Sequence, residues 1–187
     1  MSQLETTANG RAAAKSRTHR ITVTAMLSAV AAVLMFVDFS VPFMPAFIKM
    51  DISELPALLA SFSIGPWYGV AVAFAASLLR NLLGMGSLMA FPGSMCGALL
   101  CGIVYWKTKN LTATLVGEVF GTGVIGGLCA YPIATMFMGV DAAAVAFYAY
   151  IVPFLISTVA GSVLAGVLIF ALQRSGALNS MRAALEN

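Results

Sequence analysis

The sequence is short of charge. Asp, Glu, Lys and Arg make up 9% of its 187 residues, against about a quarter in soluble globular domains. Hydrophobic residues make up 60%, and the mean hydropathy is +0.95. An ordinary soluble domain is excluded. Histidine is nearly absent: one residue, His19, lies near the N-terminus. That excludes a Ser–His intramembrane protease and a His-rich metal site. The three cysteines, Cys96, Cys101 and Cys129, fall in apolar stretches. Their spacing fits neither a zinc ribbon nor a redox CxxC, so they read as small buried hydrophobes. No GxxxxGK[ST] run occurs, so no ATP is hydrolysed here through a P-loop. No carboxylate cluster suits a metal-dependent lipid enzyme. We expect no catalytic constellation, no metal site and no covalently bound cofactor, and the chain does not read as an enzyme.

What the sequence has in quantity is apolar runs. A spanning helix takes about 20 apolar residues. Six segments follow one another: Ile21 to Val37, Leu55 to Ile64, Tyr68 to Leu83, Ser94 to Trp106, Leu111 to Phe137 and Ala146 to Leu172. The fifth is expected to break at Ala130-Tyr131-Pro132, and the sixth contains Pro153. Gly84 to Gly93 reads as a turn-rich connection. This predicts an all-α integral membrane protein with six transmembrane helices in a bundle. The expected organisation is a flexible basic tail over residues 1–20, a membrane domain over 21–172 and a second tail over 173–187. The basic start leads into a long apolar segment without a convincing cleavage site, so that segment reads as a retained span.

Charge placement gives an orientation. Met1 to Arg20 holds Arg11, Lys15, Arg17 and Arg20 against one acid, Glu5. With both termini cytoplasmic, eight of the ten basic residues fall inside, including Lys107, Lys109, Arg174 and Arg182, and Lys49 and Arg80 fall outside. This matches the positive-inside rule. A nucleic-acid-binding arm is disfavoured, because no folded basic surface accompanies the tail. Asp38, Asp51, Glu54 and Asp141 lie at the outer ends, where a polar ligand has room to dock.

The run SLLRNLLGMGSLMAFPGSM, Ser77 to Met95, places Arg80 and Asn81 together in an apolar segment. An Arg at the centre of a span costs about 2.5–3.5 kcal/mol on insertion scales. Either it snorkels to the outer interface, or it faces a cavity and binds ligand. Asn81 adds polar groups that lipid does not satisfy. Glu118, inside GEVFG, has three readings: a helix–helix hydrogen bond, a ligand or coupling contact, or a proton site. The loop KMDISELP, Lys49 to Pro56, reads either as a helix start capped by Asp51 or Ser53 or as a lid over an outward pocket. Among the aromatics, Trp67, Tyr68, Tyr148 and Tyr150 suit membrane-interface belts, and Tyr131 is the pocket candidate. The candidate binding set is therefore Lys49, Asp51, Glu54, Arg80, Asn81, Glu118 and Tyr131. Small residues recur four apart: Ala25 and Ala29, Gly93 and Gly97, Gly117 and Gly121, Gly123 and Gly127, Gly161 and Ala165. Such faces let helices approach closely in a bilayer. Internal packing is the reading for most. Ala25 and Ala29, near the cytoplasmic end of the first helix, suit a partner protein.

GPWYGVAVAFAASLLRNLLGMGSLMAFPGSMCGALLCGIVYWKTKN, followed by GEVFGTGVIGGLCAYPIA, covers Gly65 to Ala134. These stretches resemble the substrate-binding S component of energy-coupling factor (ECF) vitamin transporters, and in particular the ThiW family, associated with the thiazole precursor of thiamine. The resemblance implies six helices and one vitamin bound at the outer face. It implies partners: a transmembrane T subunit and two cytoplasmic ATPases, which supply the P-loops missing here. It also assigns the small-residue stripe of the first helix, Ala25 and Ala29 in TAMLSAVAA, to the T-subunit contact. One departure bears on the ligand. Where the ThiW pattern has a His/Asn-containing segment, this chain has IKMDISELPALLASFSIGP, which resembles the loop of riboflavin-type S components. The expected function is capture of a thiamine precursor such as hydroxyethylthiazole for an ATP-driven importer in the cytoplasmic membrane. Riboflavin or another vitamin is the alternative ligand. A membrane scaffold or assembly factor without transport is the alternative class. A self-contained proton-coupled carrier using Glu118 is a third.

Overall fold

The structure, a computed structural model, describes residues 2–34, 36, 39–40, 49–50, 54–84, 86–139, 141, 145–176 and 183. Helices dominate it. α1 is Ser2–Leu34. A two-residue antiparallel pair follows, β1 Phe39–Ser40 with β2 Lys49–Met50, placing Phe39 opposite Met50 and Ser40 opposite Lys49. Then come α2 Leu55–Ser63, α3 Pro66–Leu82, α4 Ala90–Thr108 and α5 Leu111–Val119. A π-helical stretch, Phe120–Gly126, joins α5 to α6, Gly127–Phe137. α7 is Ile151–Arg174.

The short helix α2 is the hub. Its residues Pro56 to Phe62 are all buried. A helix apolar on every side belongs inside a bundle, and α2 feeds both hydrophobic clusters. Ala57, Ala60 and Ile64 pack with Leu27 of α1, Val72 and Ala73 of α3 and Ala98 of α4. Leu58, Leu59 and Phe62 pack with Cys101 and Tyr105 of α4 and Ala165 and Ile169 of α7. The Phe62 and Tyr105 rings meet edge to face, centroids 4.5 Å apart, the geometry aromatic pairs prefer. Nine residues at about 1.5 Å each make α2 roughly 14 Å long, half the thickness of a bilayer core. Gly65, at φ 135°, then turns the chain within one residue into Pro66 of α3. That φ is strained for any side-chain-bearing residue.

Glycine faces bring the other helices close. A Cβ on Gly126 would stand 2.5 Å from the Gly93 Cα, and one on Gly102 would stand 2.6 Å from the Pro66 Cα. Gly117 faces Val104, Gly121 faces Cys96 and Gly97, Gly123 faces Leu155 and Gly127 faces Ile151. These repeats are internal packing, as the sequence led us to expect. Gly161 has open space where a Cβ would go, so the last pair packs only through buried Ala165.

Several boundaries differ from the sequence reading. α1 begins at Ser2 rather than near Ile21, and the run Ala12-Ala13-Ala14 before it is a strong helix former. α4 begins at Ala90, not Ser94, and Pro92 falls in its first turn, where a missing N–H costs nothing. The sixth apolar segment starts as a helix at Ile151 rather than Ala146, again with its proline, Pro153, in the first turn. The fifth segment does not break at Pro132. Leu111–Phe137 is one rod of 27 residues, with Pro132 inside it and the irregularity moved upstream into the π-helical stretch. The turn after α4 is built by Lys109 in the left-handed conformation, φ 52°. Asn110 then caps α5, its Oδ1 accepting from the Thr112 N–H at 2.9 Å. The proposed caps Asp51 and Ser53 lie outside the described residues.

Among the described residues two helical rods are long and apolar enough to cross a membrane by length and composition, Leu111–Phe137 and Ile151–Arg174. Large apolar side chains also line the outer surface, including Met26, Val33, Trp67, Trp106, Phe120, Val163 and Phe170.

Candidate functional site

Four elements converge on one pocket. The start of α2 brings Glu54, Ala57 and Leu58. The second half of α3 brings Ala73, Ala76, Ser77 and Arg80. α4 adds Ser94 and Ala98, and the rod around the π-helical stretch adds Glu118 and Thr122. The space amounts to about 360 Å³, open mouth included. Its apolar walls are mostly alanine, and small side chains are what leave the space.

The helix ends suit the charges placed on them. Glu54 holds the N-cap position of α2 without a side-chain cap bond, and a carboxylate there meets the positive end of the helix dipole. Arg80 lies in the last turn of α3, at the negative end. Glu118 is buried, only 3% exposed. Serines on other helices hold both acids. The Ser94 hydroxyl lies 3.2 Å from Glu54 Oε1 and 3.1 Å from the Ala90 carbonyl oxygen, sharing its proton between them. The Ser162 hydroxyl donates to Glu118 Oε2. Thr122 donates to the Gly93 carbonyl at 3.3 Å.

Behind this pocket runs a second crevice of about 280 Å³, lined by Glu54, Leu55 and Leu58 of the α2 region, Glu118, and Gly161, Leu164, Ala165 and Leu168 of α7. Glu54, Leu58 and Glu118 belong to both. The two acids therefore stand in the partition between the spaces.

Three residues of the candidate set meet here: Glu54, Arg80 and Glu118. Asn81 is not among the lining residues, and its amide turns back to donate to the Ser77 carbonyl at 2.8 Å. Tyr131 is half-buried but sits thirteen positions beyond Glu118 along the same rod, about 20 Å at helical rise, and does not line the pocket. The Lys49 backbone pairs with Ser40. Asp51 lies outside the described residues, as does Asp38. Sequence reasoning missed Ser77, Ser94, Thr122 and Ser162. Hydroxyls are common in apolar helices and carry no signal alone. For Ser94 a hint existed in its place directly after Pro92-Gly93. On α1, Ala25 and Ala29 are both exposed, while Leu27 and Ala31 are buried, so the small-residue face points away from the rest of the chain.

The riboflavin transporter RibU of Staphylococcus aureus is 39% identical over 100 residues, covering 52% of this chain and 53% of that relative. The riboflavin transporter FmnP of Bacillus subtilis is 31% identical over 86 residues, 46% of this chain and 45% of its own length. The chain spans about half the length of the curated relatives it matches. A solved structure of the S component of a bacterial ECF transporter superposes with a TM-score of 0.69 at 27% identity, covering 84% of this chain and 97% of that one. A family model described as thiamine-precursor transporter protein (ThiW) matches residues 21–175. With more than half of its length so matched, the chain belongs to the ThiW family.

Proposed function

We propose that this protein is the substrate-capturing S component of an ATP-driven ECF importer, and that its ligand is a thiamine precursor of the hydroxyethylthiazole type. The observation that carries this reading is a pocket holding Glu54, Arg80 and Glu118 inside an otherwise apolar helical bundle. Charges in such a place are costly unless they serve a ligand or a cavity. A scaffold accounts for the interhelical bonds of Glu54 and Glu118 to Ser94 and Ser162 but gives no role to the pocket that the two acids and Arg80 line. Family membership supports the thiamine precursor.

In this reading the helices form a membrane domain, with residues 1–20 and 173–187 as its cytoplasmic ends. Ligand enters from the outer face near Arg80, at the end of α3. ATP is hydrolysed by two partner ATPases, and a transmembrane T subunit couples them to this chain along the Ala25 and Ala29 face. The reorientation that follows releases the vitamin inside.

Riboflavin is a second reading, favoured by the relatives named as riboflavin transporters and by the loop before α2. The test is native mass spectrometry of the detergent-purified protein with hydroxyethylthiazole, thiamine, hydroxymethylpyrimidine, riboflavin and pantothenate, together with its absorption spectrum. Retained thiazole or thiamine on a colourless protein supports the first reading. A yellow, fluorescent protein supports the second. Retention of none of the five would sink ligand capture of this class.

A further inference from the structure

The two acids of the pocket are held in one manner. Each accepts from a single serine hydroxyl on another helix, Ser94 for Glu54 and Ser162 for Glu118. Among the described residues neither makes a second hydrogen bond or an ion pair. A carboxylate accepts about four hydrogen bonds, so among the described residues acceptor capacity is left over at both. Glu118 is buried and stands in the wall of both spaces, so that capacity is turned to the pocket rather than to bulk water. The nearby Thr122 hydroxyl already donates to Gly93 and does not supply the missing proton.

An acceptor that a bound ligand covers without supplying a donor is costly. A site built to hydrogen-bond a ligand hydroxyl or amine therefore rejects an analogue that lacks it, by as much as about 10⁴–10⁵ in the best cases. We propose that Glu118, assisted by Glu54, is a specificity-determining residue that accepts a hydrogen bond from a hydroxyl or amino group on the ligand, so that the pocket selects a donor-bearing heterocycle over the same ring with a plain alkyl arm. Ser162 is then a positioning residue, fixing one Glu118 oxygen so that the other meets the ligand. This rests on the ligand-capture reading above and names what that site recognises.

The experiment compares affinities of the detergent-purified full chain for hydroxyethylthiazole and its deoxy counterpart, 5-ethyl-4-methylthiazole. The wild-type protein should prefer the alcohol at least hundredfold. Glu118→Met removes both acceptor oxygens at similar length and should bring the preference to within about threefold. Ser162→Ala keeps the acid but frees its carboxyl, and serves if Glu118→Met does not fold. It should lower the preference at least fivefold. If riboflavin binds instead, lumiflavin, which lacks the ribityl hydroxyls, takes the place of the deoxy compound. A bound ligand whose preference both variants leave at the wild-type value overturns the role of Glu118 alone. Binding of neither pair by the wild-type protein overturns the capture reading and this inference with it.

Discussion

A Cβ placed on Gly97 would stand 1.9 Å from Thr122 Oγ1. α4 and the π-helical stretch thus touch with no side chain between them on the α4 side. The contact fixes the pocket, because Ser94 and Ala98 flank Gly97 while Glu118 lies one turn before Thr122. Gly97→Leu should destabilise the protein by about 1–3 kcal/mol, the usual cost of overpacking, and should abolish ligand binding. Gly161→Ala is the contrast. Nothing lies within 4 Å of its added Cβ, so its melting temperature in detergent should stay close to wild type. Equal losses in the two variants would show that close approach at Gly97 is not what holds the pocket.

The charged part of this site was legible and the rest was not. Glu54, Arg80 and Glu118 stand out because each is expensive in an apolar segment. Ser94 and Ser162, which hold the acids, do not stand out, since a hydroxyl costs little in a helix where it bonds back to its own turn. Tyr131 stood out for another reason: Pro132 beside it suggested a broken helix and an opening. The rod instead runs through Pro132, and its irregular hydrogen bonding lies at Phe120–Gly126. No composition or period separates a π-helical stretch from an α-helical one. The shortness of α2 was visible as a short apolar segment. Its central burial was not, because that depends on which helices surround it.

Arg80 gives the second prediction. Hydrogen bonds to charged groups contribute about 1.5–3 kcal/mol, which corresponds to roughly ten- to hundredfold in affinity. Arg80→Ala should weaken ligand binding by that factor while the chain still folds. Arg80→Lys keeps the charge but not the planar fork of donors, and should recover only part of the loss. A variant that melts earlier but binds ligand with wild-type affinity would return Arg80 to the role of an interfacial anchor.

Orientation gives the third. If both termini are cytoplasmic, a protease-cleavable tag at either end should be cut in inside-out vesicles and protected in intact spheroplasts. Opposite behaviour at the two ends would mean an odd number of crossings. It would also remove the basic-residue argument that places Lys107, Lys109 and Arg174 on the same side as the N-terminal tail.

The exposed face of α1 gives the fourth. Ala25 and Ala29 lie one turn apart with Met26 and Val33 exposed beside them, while Leu27 and Ala31 are buried against the bundle. Enlarging the two alanines therefore adds bulk to a face that is exposed among the described residues. Exposed changes of this kind alter stability by less than about 0.5 kcal/mol, and neither alanine lines the pocket. A partner helix packed on that face is affected differently, since close approach in a bilayer depends on small side chains. Ala25→Leu with Ala29→Leu should leave the melting temperature and ligand affinity unchanged. It should reduce co-purification of the T and ATPase subunits at least tenfold and stop ATP-dependent uptake. Wild-type uptake in the double variant would place the partner on another face of the bundle, with the exposed valines of α7, Val152, Val159, Val163 and Val167, as the next surface to enlarge.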